Sequence, residues 1–381
     1  MPQFEFYMPT HLFYGVGSLE DLTKAIAEEQ WGRVLVMAGP RVSKTECFQE
    51  LLDHLRKAQA QVQVFDEVEP DPHAETVERA GRVAVEMRAQ CVLGYGGGSN
   101  IDAAKAVAVL ATNGGRARDH VGRPRYGAPP LPVAAVPTTA GTASEVTYFS
   151  VITDVERQEK FVLASSQIAP RLAALDPRVL TSAPRAVLAA AGLDALTHAI
   201  ESYVSLEATP VTKPLALEAA RLIAANLRRL CEDPQDLDAG MGTLLGSNLA
   251  GWAFNHSHLG AAHALALPPG ARFGVPHGVA NAILLPVVME YNCASAASAY
   301  APLAEAFGVS GGDDAERAAA VVRAVRDLRA EVGLPQRLSE VGVAEEALEA
   351  MSQDASKSRH IERNPRKIEP GDLLALYRQA F

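Results

Sequence analysis

The chain has 381 residues, of which 48% are hydrophobic, so it can bury a substantial core, and this length favours two domains over one. Its formal net charge of -10 argues against a nucleic-acid or anionic-membrane surface, since either would need clustered basic residues. We therefore expect a small-molecule substrate. The N-terminus lacks the pattern of an export signal, and charges or prolines interrupt the apolar stretches, so we expect no membrane span and a cytoplasmic location.

Short β-branched runs alternate with helical patterns in the first half of the chain. The runs cover residues 33–38, 62–65, 91–95 and 133–136. Between the second and third, apolar residues recur at helical spacing at Val77, Ala80, Ala84 and Met87. Such alternation predicts βαβ units, and we expect residues 1–180 to form a Rossmann-like α/β dinucleotide-binding domain with a parallel sheet.

A glycine-rich loop follows the third strand run and opens a helical pattern, in Gly96-Gly-Gly-Ser-Asn-Ile-Asp102. Glycines let the backbone approach a pyrophosphate, and the free amides of a helix start favour the anion. This predicts a phosphate contact at Gly97, Gly98 and Ser99. The alternative is a tight turn in which Ser99 caps the helix and Asp102 completes a capping box.

A second loop, Pro137-Thr-Thr-Ala-Gly-Thr142, follows the fourth strand run. The hydroxyls of Thr138, Thr139 and Thr142 can bind ribose, amide or phosphate groups. The alternative is that these threonines satisfy the backbone of their own loop.

Strand-like runs end near Leu180, and long alanine- and leucine-rich helical segments follow to the last residue. We expect residues 181–381 to form an all-helical domain. Ser182 lies just before Pro184, in a pattern that predicts a capped helix start with proline in the first turn.

Four residues of this helical half offer one carboxylate and three imidazoles. Asp194 and His198 are four residues apart in a helical pattern, which places both on one face with Cβ atoms about 5–6 Å apart. His263 lies in a second helical pattern, and His277 lies in Val275-Pro-His-Gly. Together they form a candidate site for a divalent metal. Taken singly, each piece also fits a surface pair or a core histidine.

In this order the motifs resemble the iron-containing (group III) alcohol dehydrogenase family. The resemblance begins at Phe13-Tyr-Gly-Val-Gly17 and includes both loops and the Gly192-Leu-Asp-Ala-Leu-Thr-His-Ala-Ile-Glu201 segment. It continues through Pro276-His-Gly-Val-Ala-Asn281 to Asn364-Pro-Arg366. It implies a dehydroquinate synthase-like architecture, in which an N-terminal nicotinamide-binding domain and a C-terminal helical metal domain enclose the reaction cleft.

The resemblance also assigns residues. The family's metal ligands fall on Asp194, His198, His263 and His277, and its cofactor-binding positions fall on residues of the two loops and four further positions. The cofactor set is Gly97, Gly98, Ser99, Asp102, Thr138, Thr139, Thr142, Phe149, Lys160, Leu180 and Gly39. The metal is Fe²⁺ by resemblance, with Zn²⁺ possible, since imidazole suits both. The implied reaction is hydride transfer between a nicotinamide and a small primary alcohol or aldehyde, in which a bound cation lowers the pKa of the alcohol.

Two departures from the family pattern bear on the mechanism. Leu267 stands where many relatives have a second histidine near the nicotinamide, so the proton route is not carried over. His256 and His258 are the nearest unmatched histidines in sequence and are candidates for a relay, against a plain reading as loop or surface residues. Gly39 stands where several relatives carry an aspartate that repels a 2′-phosphate, so NADP(H) is not excluded. No arginine is unambiguously placed to attract that phosphate, so NAD(H) is slightly favoured.

The substrate pocket is implied at Phe149, Val151 and Phe254, all apolar, and Phe149 disfavours a vicinal diol. Relatives are often dimers or larger, so we expect a homodimer or higher homo-oligomer. The alternatives are a polyol dehydrogenase acting on glycerol or a 1,2- or 1,3-diol, and a metal-dependent hydrolase. A hydrolase needs neither cofactor loop, and no His-Glu-x-x-His motif is present.

Overall fold

A computed structural model describes residues 3–369 and 371–381. These residues form two compact units. The α/β unit comprises Tyr7–Thr139 and Ala143–Ala183. The helical unit comprises Pro184–Phe381, the three residues Ala140–Thr142 of the threonine loop, and the described N-terminal residues up to Phe6.

Eight strands and four helices build the α/β unit. The strands are β1 (His11–Tyr14), β2 (Arg33–Met37), β3 (Gln61–Phe65), β4 (Cys91–Gly96), β5 (Val133–Pro137), β6 (Phe149–Asp154), β7 (Glu159–Ala164) and β8 (Leu172–Leu175). The helices are α1 (Ser18–Glu28), α2 (Glu46–Lys57), α3 (Ala74–Glu86) and α4 (Gly98–Asn113).

Six of these strands form one parallel sheet in the order β1-β8-β5-β4-β2-β3. The predicted parallel sheet and its four strand runs are confirmed. The central strand β4 is buried along its whole length, as expected for a strand covered on both faces. Its carboxyl end runs directly into the glycine loop, so the sheet fixes where that loop lies.

Two further strands, β6 and β7, form a separate antiparallel pair, which the sequence analysis did not predict. On β7, Phe161 and Leu163 are buried, and the residues that alternate with them are exposed. This is the pattern of a strand with one covered face. Phe161 and Leu163 join the core cluster that also contains Val107 of α4.

In the described part of residues 184–381, eight α-helices build the helical unit, and there is no strand. They are α5 (Arg185–Val204), α6 (Thr212–Glu232), α7 (Leu237–Ser257), α8 (Ala261–Phe273), α9 (His277–Tyr300), α10 (Asp314–Glu331), α11 (Leu348–Ala355) and α12 (Asp372–Ala380). The predicted all-helical second half is confirmed. The predicted cap at Ser182 is wrong, because Pro184 takes the extended N-cap conformation and the helix begins at Arg185.

The helix α9 is the most apolar element of this unit. By length and composition, the stretch His277–Phe307 could cross a membrane, but half of its most apolar window is buried inside the protein. It packs against α5, α8, α10 and α12, which is the environment of a core helix. Its first residue is the candidate ligand His277.

The second residue of α9, Gly278, allows this helix to approach α5 closely. A Cβ atom at Gly278 would lie 2.3 Å from the backbone oxygen of Ala190. Real Cβ atoms do not approach that near, and a backbone oxygen within a helix cannot easily move away. The absence of a side chain at Gly278 therefore sets the distance between the start of α9 and α5, which carries Asp194.

We predict that Gly278→Ala lowers the free energy of unfolding by ~1–3 kcal/mol, the usual cost of inserting a methyl group into a packed interior. Urea denaturation of the metal-free protein measures the change. Gly371→Ala is the matched control, since a Cβ there meets no described heavy atom within 4 Å. Equal stability of Gly278→Ala and wild type would show that α9 does not need this approach.

Candidate functional site

Asp194 and His198 project from α5, as their spacing predicted. The helix forms because residues 185–204 are rich in alanine and leucine and contain no proline. Both side chains are buried, and both lie on the helix face that packs within the unit. A carboxylate and an imidazole thus lie one helical turn apart in the core.

Three of the four predicted ligands lie close together. One ligand atom from each of Asp194, His263 and His277 lies within 4.8 Å of the others. The Oδ1 atom of Asp194 is 3.9 Å from Nε2 of His263 and 3.7 Å from Nε2 of His277. Asp194 and His263 are buried, whereas the His277 side chain is 42% exposed, so the group opens to solvent on the His277 side.

His198 lies beside this group rather than within the 4.8 Å limit. Its ring stacks on that of His263 at a centroid distance of 4.6 Å, and on Phe254 at 4.4 Å. Its Nδ1 atom lies 3.2 Å from the backbone oxygen of Gly141. With the proton on Nδ1 donated to that oxygen, Nε2 keeps a lone pair for a ligand.

His263 has the arrangement that a metal ligand requires. Its Nδ1 lies 2.6 Å from the Glu201 carboxylate, which accepts the Nδ1 proton. Its Nε2 atom is buried and has no hydrogen-bond partner in the described part of the chain. Buried polar atoms without a partner are rare, and an unprotonated imidazole nitrogen facing a carboxylate is what a divalent metal would satisfy. The donor set therefore fits the metal that the family resemblance implies.

Asn281 lies between two of the ligands. Its Nδ2 donates a 2.7 Å hydrogen bond to Oδ1 of Asp194 and lies 3.1 Å from Nε2 of His277. Neither Asn281 nor Glu201 is among the predicted site residues. The available signal was their spacing: Glu201 is three residues after His198, and Asn281 is four residues after His277, so each shares a helix face with a ligand.

Burial affects the charge state of the predicted ligands. Burial lowers the pKa of His198, and it holds the pKa of His263 well below its ordinary value. For Asp194, burial raises the pKa, but attraction to His198, His277 and His263 and the Asn281 hydrogen bond outweigh it and lower the pKa. Neutral imidazoles beside an ionised carboxylate are the forms that bind a metal.

The candidate relay histidines have other partners. The ring of His256 packs on Phe6 at 4.4 Å, and His258 pairs with Glu207 at 3.4 Å. Leu267 is 48% exposed. His360, which is not among the predicted site residues, has its ring 6.4 Å from that of His263.

The glycine loop of the α/β unit ends at an uncapped helix. Helix α4 begins at Gly98, and no side chain in the described residues caps it. The Ser99 hydroxyl instead accepts a 3.1 Å hydrogen bond from the backbone amide of Asp71, so the capping-box alternative is wrong. Gly96 has φ +143°, and a Cβ there would lie 1.7 Å from the Asn100 side chain, so only glycine fits. This start offers its amides and dipole to an anion.

Asp102 is engaged inside the α/β unit. Its carboxylate accepts a 2.9 Å hydrogen bond from the Val151 amide and another from the Ser144 hydroxyl. The fully buried Lys105 donates to the Ser144 hydroxyl at 2.8 Å and to the Phe149 backbone oxygen at 2.6 Å. Burial lowers the pKa of Lys105. These contacts attach β6 to α4.

The threonines of the second loop differ in their surroundings. Thr138 is buried, and its amide donates to the Gly96 oxygen at 2.9 Å, which joins the two loops. Thr139 is half-buried, and its hydroxyl oxygen would lie 3.4 Å from a Cβ on Gly97. Thr142 is exposed and belongs to the helical unit.

The remaining predicted cofactor residues are spread over the α/β unit. Gly39 follows β2, and a Cβ there would lie 2.9 Å from the Val68 oxygen, so the backbone leaves little room for a side chain. Lys160 on β7 pairs with Asp71 at 2.7 Å, and Leu180 is fully buried.

The three predicted pocket residues fall in both units. Phe149 and Val151 lie on β6 in the α/β unit, where Phe149 is half-buried and Val151 is 37% exposed. Phe254 lies on α7 in the helical unit and stacks on His198. Of the three predicted pocket residues, Phe254 is therefore the one that contacts a predicted metal ligand.

Comparison with known proteins places the whole chain in one family. A family model for "Iron-containing alcohol dehydrogenase" matches residues 9–177, and one for "Fe-containing alcohol dehydrogenase family, C-terminal" matches residues 188–381. Among curated relatives, a 1,3-propanediol dehydrogenase of Klebsiella pneumoniae is 37% identical, over 99% of each chain. Alcohol dehydrogenase 4 of Saccharomyces cerevisiae is 34% identical, over 99% of this chain and 98% of the relative.

Among solved structures, a 1,3-propanediol oxidoreductase superposes with a TM-score of 0.97 at 35% identity, with both chains covered in full. This likeness confirms the expected fold class. Both family matches, the relatives and the fold agree with the resemblance that the motifs predicted. The chain belongs to the iron-containing alcohol dehydrogenase family and is a metal-dependent, NAD(P)-dependent alcohol dehydrogenase.

Proposed function

We propose that Asp194, His198, His263 and His277 together bind one Fe²⁺ ion. The observation that carries this proposal is the buried Nε2 atom of His263, which has no hydrogen-bond partner among the residues that the structure describes and lies 3.9 Å from the Asp194 carboxylate. Imidazole and carboxylate suit iron and zinc alike, so the choice of iron rests on the family. When bound, a divalent metal lowers the pKa of an alcohol and polarises an aldehyde carbonyl, while the nicotinamide accepts or donates the hydride.

The residues around this centre determine from which side a substrate can approach and which surface it meets. The Asp194 and His263 side chains are buried and form the closed side, so a substrate oxygen approaches past the partly exposed His277. Phe254 holds the His198 ring in place by stacking and offers an apolar surface beside it. An apolar wall beside a polar reacting group favours a small primary alcohol or aldehyde.

A terminal diol is the second candidate substrate. It is supported by the 1,3-propanediol dehydrogenase among the relatives, which shares 37% identity with this chain. Membership in the family removes the metal-dependent hydrolase alternative.

We propose that the nicotinamide cofactor binds through its pyrophosphate at the uncapped start of α4. Gly97, Gly98 and Ser99 are only partly buried there, so their backbone is accessible to a phosphate. Thr138 and Thr139 lie beside them through the contacts of the two loops. NAD(H) is slightly favoured over NADP(H). The cytoplasmic location and the homo-oligomeric state stay predictions.

Activity should depend on ferrous iron. We expect the metal-free protein to be inactive and to regain alcohol-dependent reduction of NAD⁺ when Fe²⁺ is restored anaerobically. Absorbance of the reduced nicotinamide, recorded over a panel of short primary alcohols, 1,3-propanediol and glycerol, measures this. Full activity with Zn²⁺ alone would contradict the iron assignment. Glycerol as the best substrate would contradict the primary-alcohol assignment.

We predict that Asp194→Asn loses most of its bound iron, because the amide cannot supply the negative charge of the only carboxylate in the proposed set. Metal analysis after anaerobic reconstitution and gel filtration measures the loss. Asp53→Asn is the control, since the Asp53 side chain is 62% exposed and pairs with nearby Arg56. Stoichiometric iron in Asp194→Asn would remove Asp194 from the ligand set.

The two cofactors should be used with similar efficiency. Gly39 has no carboxylate to repel a 2′-phosphate, so we expect kcat/KM for NAD⁺ to exceed that for NADP⁺ by no more than about tenfold, or ~1.4 kcal/mol. Steady-state kinetics with one saturating alcohol measure the ratio in the wild-type protein, because a side chain at Gly39 would crowd the Val68 oxygen. A strong preference for NADP⁺ would overturn this expectation.

A further inference from the structure

The Glu201 carboxylate is buried and surrounded by donors from one short segment. Its Oε2 atom accepts from Nδ1 of His263 at 2.6 Å and from the Gly260 amide at 3.0 Å. Its Oε1 atom accepts from the Ala262 amide at 2.6 Å. All of these donors lie at the start of α8, whose first helical residue is Ala261.

These contacts give Glu201 two separate effects. The hydrogen bonds from Gly260 and Ala262 satisfy backbone amides that α8 leaves free at its N-terminus, as a helix cap does. The hydrogen bond from His263 fixes the proton of that ring on Nδ1. Gly260 allows both, because a Cβ there would lie 2.9 Å from Oε1 of Glu201.

We propose that Glu201 is a positioning residue for the metal centre: it holds His263 as the Nδ1–H tautomer, with the Nε2 lone pair directed at the metal. The proposal rests on the proposed metal centre. A carboxylate behind a ligating imidazole fixes the ring orientation and raises its basicity. The buried Nε2 atom of His263, which has no partner in the described residues, is the free nitrogen that this tautomer leaves.

Because Glu201 lies on α5, its contact with His263 links this ring to the helix that carries two other proposed ligands. The same helix carries Asp194 and His198, so one rigid element supplies two ligands directly and orients a third. His198 is oriented differently, by the backbone oxygen of Gly141, which no substitution removes. Glu201 is therefore the side chain through which the orientation of an imidazole ligand can be tested.

The substitution Glu201→Gln tests the proposal. An amide has one oxygen, so its NH₂ group must face either the His263 and Gly260 donors or the Ala262 amide. We expect metal affinity to fall about 10–100-fold, the usual effect of losing such a partner. Competition between the metal-free protein and a chromophoric chelator for Co²⁺ measures the dissociation constant. Glu207→Gln is the matched control, since Glu207 pairs with His258 at 3.4 Å and should leave the affinity unchanged.

The imidazole ¹⁵N spectrum separates positioning from helix capping. In metal-free wild type, with His263→Gln used for assignment, His263 should show a protonated Nδ1 and an unprotonated Nε2. In Glu201→Gln this single tautomer should be lost. A protonated Nε2 in wild type would overturn the proposal even if the variant does not fold. A weaker affinity with an unchanged tautomer would also overturn it, because capping alone would then explain the loss.

Equal Co²⁺ affinities of wild type and Glu201→Gln would overturn this inference but leave the metal centre intact. No binding of Co²⁺, Fe²⁺ or Zn²⁺ by wild type would instead overturn the metal centre itself, and this inference with it. Because neither readout uses turnover, the choice of substrate does not affect the result.

Discussion

Burying the polar atoms of the proposed metal ligands in an apolar helical core is the constraint on which the rest of the helical unit depends. Asp194 and His263 lie among alanine- and leucine-rich helices, where an unpaired polar group is costly. Asn281 donates to Asp194, Glu201 accepts from His263, and the Gly141 oxygen lies beside Nδ1 of the neighbouring His198. The His263 nitrogen that remains is the one that a metal would use. The hydrogen bonds that these side chains form with the protein therefore also orient them.

In the α/β unit, polar backbone groups are left free at the carboxyl end of the central strand, where α4 begins. Gly96 turns the chain at a positive φ, and no side-chain cap is found at the start of α4 in the described part of the chain. The side chains of Asp102 and Lys105, which lie in the second turn of α4, form hydrogen bonds with β6 and so attach that strand to α4. The amides at the helix start are thereby left for a ligand. An uncapped helix start held in place by contacts one turn further on is well suited to a pyrophosphate.

Sequence reasoning succeeded where the signal is local or carried by a long motif. The spacing of Asp194 and His198 placed both on one helix, and the β-branched runs gave four of the sheet strands. It failed where the partner is distant: Glu201 meets His263 across 62 positions, and no local pattern records that contact. It also missed β8, because Leu172-Ala-Ala-Leu175 carries no β-branched residue and only its neighbours in the sheet make it a strand.

The central claim is that four side chains from α5, α8 and α9 hold a single iron ion. Anomalous diffraction at the iron absorption edge, from crystals grown anaerobically with Fe²⁺, tests it most directly. The account predicts one strong peak within bonding distance of Asp194, His198, His263 and His277. A peak at another place in the chain, or a peak that lacks His263 among its neighbours, would contradict it.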